Sequence, residues 1–259
     1  MSSTGKTTPD AATPPPLETL GLVVAYEDDP PLLENLSFRA EAGEILGILG
    51  PSGCGKSSLL RRLVGLEIPR AGEVKLFGEE IFASPAALAR ARQKFGIMYQ
   101  SGALFGDLNL LANVSLPLVE FSSMPPAAIE ASATLKLDLV GLRGFERHLP
   151  SAISGGMRKR AAIARALALE PKLMFLDEPS AGLDPITAGD LDELIVTLAR
   201  NLEITFVVIT HELRSIHRIV DRAILLDRGA RGIAAEGTPQ FLALESPSPA
   251  AKAFFLRDA

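Results

Sequence analysis

The sequence predicts an α/β fold with a helical segment inserted into it. Three observations carry that expectation. Short apolar, β-branched runs alternate along the chain with helical patterns long enough to act as crossovers between strands. Several of those runs are apolar at consecutive positions, as strands covered on both faces are. Strand signals then disappear between Gly102 and Pro150, where Pro125–Gly141 carries an apolar helical pattern instead. At 259 residues and 47% apolar, the chain has enough material for a substantial core.

Taken in order, Met1–Pro16 is rich in Ser, Thr and Pro without an apolar stretch, and its composition predicts a disordered lead rather than a secretory signal. Strands are expected at Gly21–Tyr26, Glu44–Leu49, Gly96–Tyr99, Leu173–Leu176, Thr205–Thr210 and Ala223–Leu226. Helices are expected at Ser57–Val64, Pro85–Lys94, Gly155–Leu169, Pro185–Asn201 and Pro239–Leu244. These elements divide the chain into residues 1–16, a folded unit over 17–246 with a helical subdomain near 102–165, and a tail over 247–259. No internal repeat is visible, so the chain is expected to hold one such folded unit rather than two.

Composition excludes several classes. The longest apolar runs are of strand length, well short of the roughly 18 to 20 residues that span a bilayer. The single cysteine, Cys54, cannot close an intramolecular disulfide. A formal charge of −5 gives no general field for nucleic acid, which is not expected as a partner.

Gly50-Pro51-Ser52-Gly53-Cys54-Gly55-Lys56-Ser57 has the phosphate-loop pattern, directly after one expected strand and before an expected helix. Glycines let backbone N–H groups turn around phosphate oxygens, and the helix that follows, from Ser57 and Ser58 onward, presents its positive end. Lys56 can set a cation on the β- and γ-phosphates, and Ser57 can give an oxygen to Mg²⁺. ATP and Mg²⁺ are therefore the expected cofactors. The apolar run Leu173–Leu176 ends in Asp177 and Glu178, at the strand end where open α/β sheets hold their ligands. Asp177 can hold Mg²⁺ through its water shell, and Glu178 can polarise a water for attack on the γ-phosphate.

Upstream, Ser154-Gly155-Gly156-Met157 opens a helix, 23 positions before Asp177. With that segment the sequence resembles the ABC ATPase family over about Leu17 to Glu245, with Met157 where many members carry Gln. The resemblance implies a phosphate-loop NTPase core of RecA-like type, ATP hydrolysis, and a homodimer in which Ser154 to Met157 reach the nucleotide held by the other subunit. It implies that Gln100, 44 residues after Lys56, is a switch glutamine on Mg²⁺, and that Asp184, in Ser180–Asp184, sits where subunits meet. It further implies that His211 bonds the γ-phosphate and that adenine stacks on Tyr26, 30 residues before Lys56.

Within the family, Gln100–Phe105, Asn113-Val114, Pro117-Leu118, Met157 and Asp184–Thr187 resemble ATPases of Mla- and Mce-type phospholipid transporters. That likeness implies an integral membrane permease, an Mce-domain lipid-binding protein and accessory subunits as partners. It places the chain at the cytoplasmic face of the inner membrane, held there through the permease. An importer subunit for amino acids or another small solute is the alternative. An ABC ATPase acting on DNA or ribosomes would carry long coiled-coil insertions or two fused nucleotide units, and this chain has neither. Three features stay open on sequence. Cys54 is either an inert small residue or a thiol activated by the helix end and Lys56. Phe254, Phe255 and Leu256 are expected to be buried, either on their own core or by docking across the dimer or onto an accessory subunit. Leu104 and Phe105 fill the helical subdomain or receive a permease helix.

Overall fold

In the computed structural model, residues 13–27 and 29–256 are described. They form the expected α/β fold, built on two sheets. The larger is ordered β10 (Gly232–Gly237), β9 (Arg222–Asp227), β3 (Ile45–Leu49), β8 (Thr205–Thr210), β7 (Leu173–Asp177) and β6 (Phe95–Met98). Its five strands from β9 to β6 are parallel, and β10 closes one edge antiparallel. The smaller sheet is antiparallel, ordered β2 (Leu33–Ala40), β1 (Leu17–Val24), β4 (Ala71–Leu76) and β5 (Glu79–Glu80).

The unbroken apolar runs of β3, β7 and β8 follow from their having a core on each side. Leu46, Ile48, Leu173, Phe175, Val207 and Ile209 enter one core with the small sheet and α1 (Lys56–Leu63). Their neighbours Ile45, Leu49, Met174, Leu176, Phe206 and Val208 enter the other, with the helices that cover the opposite face. Fully buried side chains such as Phe175 and Phe206 each contribute about 1.5–3 kcal/mol of burial free energy.

The second core is built from α3 (Leu110–Phe121), α4 (Pro126–Leu139), α5 (Gly155–Ala166), α6 (Pro185–Leu202), α7 (Leu213–Ile219), α8 (Pro239–Leu244) and α9 (Pro249–Phe255). Between β6 and β7 the described chain has no strand, and α3, α4 and α5 pack on one another there. The α5 face that meets β6 is made of small residues: Ala162 lies against Gly102, and a side chain at Gly96 would run into the Ala166 carbonyl. Among the described residues no helix is long and apolar enough to cross a membrane.

Helix starts follow a repeated device. Ser84, Asp184, Thr238 and Ser248 each accept a hydrogen bond from a first-turn N–H, and each is followed by proline as the first helical residue of α2 (Pro85–Ala91), α6, α8 and α9. The starts expected at Pro85, Pro185 and Pro239 are observed there.

Several expectations need correction. The first strand occupies Leu17–Val24 rather than Gly21–Tyr26, because a bulge around Gly21, whose φ is 57°, interrupts the in–out alternation; Tyr26 lies in the loop beyond it. β2, β4, β5 and β10 have no counterpart among the expected strands: β2, β4 and β5 carry many polar residues, and β10 is a half-buried Gly- and Ala-rich edge. α3 was hidden by Pro117 in its interior. The disorder expected over Met1–Pro16 falls, for residues 1–12, outside the described residues, while Pro16 is buried and its carbonyl accepts from the Phe77 N–H. In the tail, Phe254 and Phe255 pack on their own core in edge-to-face contact, their ring centres 5.3 Å apart, and Leu256 is exposed.

Candidate nucleotide site

The central strand β3 runs buried to Leu49 and breaks at Gly50, whose φ is 151°. A side chain at position 50 would lie 2.6 Å from Cys54 Sγ and 2.7 Å from the Leu226 carbonyl oxygen, so only glycine fits. Gly53 and Gly55 also have positive φ, and α1 starts directly after them at Lys56. Lys56 is buried, and its Nζ donates to the carbonyls of Gly50 at 2.7 Å and Pro51 at 3.2 Å, folding the side chain back over the loop. Among the described residues no carboxylate forms an ion pair with it. The loop therefore presents an ammonium group beside a helix N-terminus, an arrangement that takes an anion.

Ser52, Gly53 and Ser57 are exposed, while Pro51 and Ser58 are half-buried. The Ser58 hydroxyl is hydrogen-bonded to the Tyr26 hydroxyl. The Arg62 guanidinium lies 5.0 Å from the centre of the Tyr26 ring, and donates to the carbonyls of Ala25 at 2.8 Å and Ser58 at 2.9 Å. Tyr26 is thus braced against α1 through its hydroxyl and one ring face, yet remains 42% exposed. Nothing in the sequence pattern pointed to Arg62.

Of the two readings of Cys54, the structure favours the inert one. Its side chain is buried, and desolvation pushes the thiol pKa upward despite the opposing charge of Lys56. The activated-thiol alternative rests on chain position at a helix start, whereas Sγ is packed under Gly50.

At the neighbouring strand ends, β7 and β8 run parallel with Asp177 beside Ile209, so the residues just past them meet. Glu178 sits in left-handed backbone at φ 47°, a region that costs a residue other than glycine about 1–3 kcal/mol. Its N–H donates to the Ile209 carbonyl at 2.8 Å, and its Oε1 lies 2.7 Å from His211 Nδ1. Oε2 of the same carboxylate is buried without a partner. The sequence placed Glu178 and His211 near one site but not in contact.

Asp177 is buried, and its Oδ1 has no hydrogen-bond partner. Burial, reinforced by the charge of Glu178, raises its pKa against the opposing pull of Lys56. Asp177 lines an open cleft together with Gln100, which lies exposed two residues past the end of β6. Among the described residues no three His, Cys, Asp or Glu side chains gather as a metal cage. An orphaned carboxylate oxygen, an amide and the Ser57 hydroxyl suit a hard cation that keeps most of its shell as water and phosphate oxygen, which is the habit of Mg²⁺.

The remaining sites predicted from sequence stand apart. Ser154 is exposed and caps α5, its Oγ accepting from the Met157 N–H at 3.2 Å. Gly156 is buried where a side chain would strike Thr187 of α6, whereas Gly155 is only half-buried. Among the described residues no hydrogen bond joins Ser154–Met157 to the loop at 50–57. Asp184 caps α6, accepting from the N–H groups of Ile186 and Thr187, each at 3.1 Å, and from the Thr187 hydroxyl at 2.6 Å.

Comparison with known proteins gives concordant results. A sequence-family model described as "ABC transporter" matches residues 33–181. The chain is 42% identical over 224 residues to "Intermembrane phospholipid transport system ATP-binding protein MlaF" of Escherichia coli (strain K12), covering 86% of this chain and 82% of the relative. It is 38% identical over 213 residues to the Mycobacterium leprae protein named "Probable ribonucleotide transport ATP-binding protein mkl", covering 82% of this chain and 61% of that one. In three dimensions it resembles a dimeric structure of the ATP-binding cassette MJ0796 in a post-hydrolysis state bound to ADP and Pi. That match has a TM-score of 0.77 and 30% identity, and covers 86% of this chain and 98% of the other.

Proposed function

We propose, from the premise that this chain belongs to the ABC transporter family of ATP-hydrolysing subunits, that its catalytic edge is formed where β3, β8 and β7 end side by side. The observation that carries this reading is that the Gly50–Ser57 loop, His211 and the Asp177–Glu178 pair follow the carboxyl ends of three adjacent parallel strands. ATP lies with its phosphates in the loop, Lys56 on the β and γ oxygens, and its adenine on the open face of Tyr26.

In Glu178, Oε1 is anchored by His211, which fixes the carboxylate, and Oε2, buried and unpartnered in the free chain, is the oxygen left to orient a water once the site is filled. That water's oxygen bonds to the γ-phosphorus as the bond to the bridging oxygen of ADP breaks, and its proton passes toward Oε2. Ser57, Gln100 and Asp177 would hold Mg²⁺, which supplies neutralising charge to the phosphate oxygens. His211 also stands where its ring can reach the γ-phosphate.

Half of each site comes from a second copy. Ser154 and the N-terminal turn of α5, which is exposed at Ser154 and not hydrogen-bonded to the chain's own loop, form an anion site for the nucleotide bound by the other subunit, with Met157 closing the turn. The Ser180–Asp184 turn lies at that junction. The dimeric MJ0796 cassette supports this arrangement.

The assembly sits at the inner membrane through a permease and moves phospholipid, with an Mce-domain protein and accessory subunits. The support is the Escherichia coli relative, whose identity is higher than that of the mycobacterial protein named for ribonucleotide transport. Cargo is not encoded in phosphate-binding residues, so it has to be tested separately. Purified with its membrane partners, the chain is expected to bring down a permease and an Mce-domain protein with co-extracted phospholipid; a solute-binding protein in their place would establish the importer reading. Glu178→Gln in that complex is expected to bind ATP normally while turnover falls by about 100-fold or more. Wild-type turnover would remove Glu178 from its role.

A further inference from the structure

Helix α5 carries a buried cation that none of the roles above uses. Lys159 lies five residues past Ser154, about 7.5 Å along the helix. Its side chain is buried, and its Nζ donates to the main-chain carbonyl of Gln100 and, at 3.1 Å, to that of Glu178. Among the described residues it forms no ion pair with a carboxylate. Burial lowers its pKa, with the nearby charges of Asp177 and Glu178 acting to keep it protonated.

The two acceptors are informative. Glu178 sits in left-handed backbone, and its peptide groups are tied on both sides: the N–H to Ile209, the carbonyl to Lys159. With the main chain so fixed, the carboxylate is aimed at His211. The Gln100 turn is tied to the same ammonium group, and further along α5 the Arg165 guanidinium donates to the carbonyls of Gly102 at 3.0 Å and Ala103 at 2.6 Å. The helix whose first turn bears Ser154 is therefore bonded directly to both the Gln100 turn and the Glu178 backbone.

We infer that Lys159 is a positioning residue that couples the first turn of α5 to Glu178 and Gln100 of the same chain, so that an anion held by Ser154 sets the geometry of the opposite, in-chain site. The inference rests on the assignment of Glu178 and of the shared site made above. When the partner's nucleotide draws on the α5 N-terminus, displacement of the helix moves one ammonium group, and with it both carbonyls. Occupancy of one site thereby aligns the water-orienting carboxylate of the other. The ammonium group suits this task because its three donors serve two carbonyls at once without a counter-ion to hold it elsewhere.

The test is steady-state ATP hydrolysis by the full-length chain assembled with its permease, comparing Lys159→Met, Lys159→Arg and Glu178→Gln. Lys159→Met keeps the stem and removes the donors. It is expected to lower kcat by about 10- to 100-fold with KM for ATP changed by less than about threefold, and to flatten any sigmoidal dependence on ATP. Lys159→Arg, which can still donate to two carbonyls, is expected to recover most of the rate. Wild-type turnover in Lys159→Met, with Glu178→Gln inactive, overturns this inference and leaves the site assignment standing. If Glu178→Gln also turns over, the site assignment itself is wrong. A parallel loss of rate, ATP affinity and melting temperature that Arg does not relieve would make Lys159 a packing residue and overturn the inference. Should the Met variant not fold, Lys159→Leu, which also removes the donors, is measured by the same split, and wild-type turnover there has the same meaning.

Discussion

Cys54 lies two residues from Lys56 at the start of α1, where chain position alone favours a thiolate, yet its Sγ is packed under Gly50 and burial raises its pKa. In the folded chain this single thiol is expected to react with a disulfide reagent more than about tenfold slower than in the unfolded chain, with or without Mg-ATP. Thiol titration before and after adding denaturant decides it; fast reaction in the native protein that Mg-ATP blocks would restore the activated thiol. The contrast with Glu178 is physical. Its position after an apolar strand made it legible in sequence, because strand ends are where such a sheet exposes its chemistry. The bond to His211, the left-handed backbone and the tie to Ile209 were not legible, since they depend on how β7 and β8 register against each other.

At the scale of elements, the turn after β6 shows how a buried amide fixes an exposed ring. Asn113, fully buried on α3, accepts from the Phe105 N–H at 2.8 Å and donates to the carbonyls of Phe105, Leu108 and Asn109. Phe105 is held 59% exposed, while Leu104 packs partly into the core. Phe105→Ala is expected to leave the melting temperature of the free subunit nearly unchanged while weakening capture of the proposed permease by about 1–3 kcal/mol. Asn113→Ala should instead destabilise the subunit by about 1–3 kcal/mol, because it leaves the Phe105 N–H without its partner. A thermal melt alongside a permease pull-down separates the two; a large loss of melting temperature in Phe105→Ala, or undiminished capture, would dispose of the docking role. Helix starts were the most legible elements, since a capping side chain followed by proline is a local instruction. The small sheet was the least legible. Bulges in β1 and β2 break the alternation, and only the pairing of β2 and β4 with β1 decides which residues face inward.

For the whole molecule, the shared-site proposal makes complementation the informative measurement. A chain with Lys56→Ala and a chain with Ser154→Ala each lose both sites of a homodimer. In a mixed dimer the two lesions fall on one composite site and leave the other whole. Mixing the two variants is therefore expected to restore ATP binding at one of the two sites, to about half the wild-type stoichiometry. Binding at neither site in verified mixed dimers would show that the site is complete within one chain. Asp184 is a poor probe for the same purpose, because its carboxylate caps α6 and removing it costs about 1 kcal/mol of helix stability irrespective of any partner.

The small-residue contact between α5 and β6 has a mechanical meaning for such a dimer. Interlocking ridges and grooves resist displacement along a helix axis, and Gly96, Gly102, Ala162 and Ala166 provide little of either. Were α5 to shift in the coupling inferred above, the side chains there would offer few interlocking obstacles, and the hydrogen bonds of Lys159 and Arg165 to the Gln100, Glu178, Gly102 and Ala103 carbonyls would carry the displacement. Because α3 to α5 share one continuous core with the sheet, such a displacement would be a small shear rather than a hinge opening. A shear of that size would leave the shared core closed to water, and turnover would then require no partial unfolding.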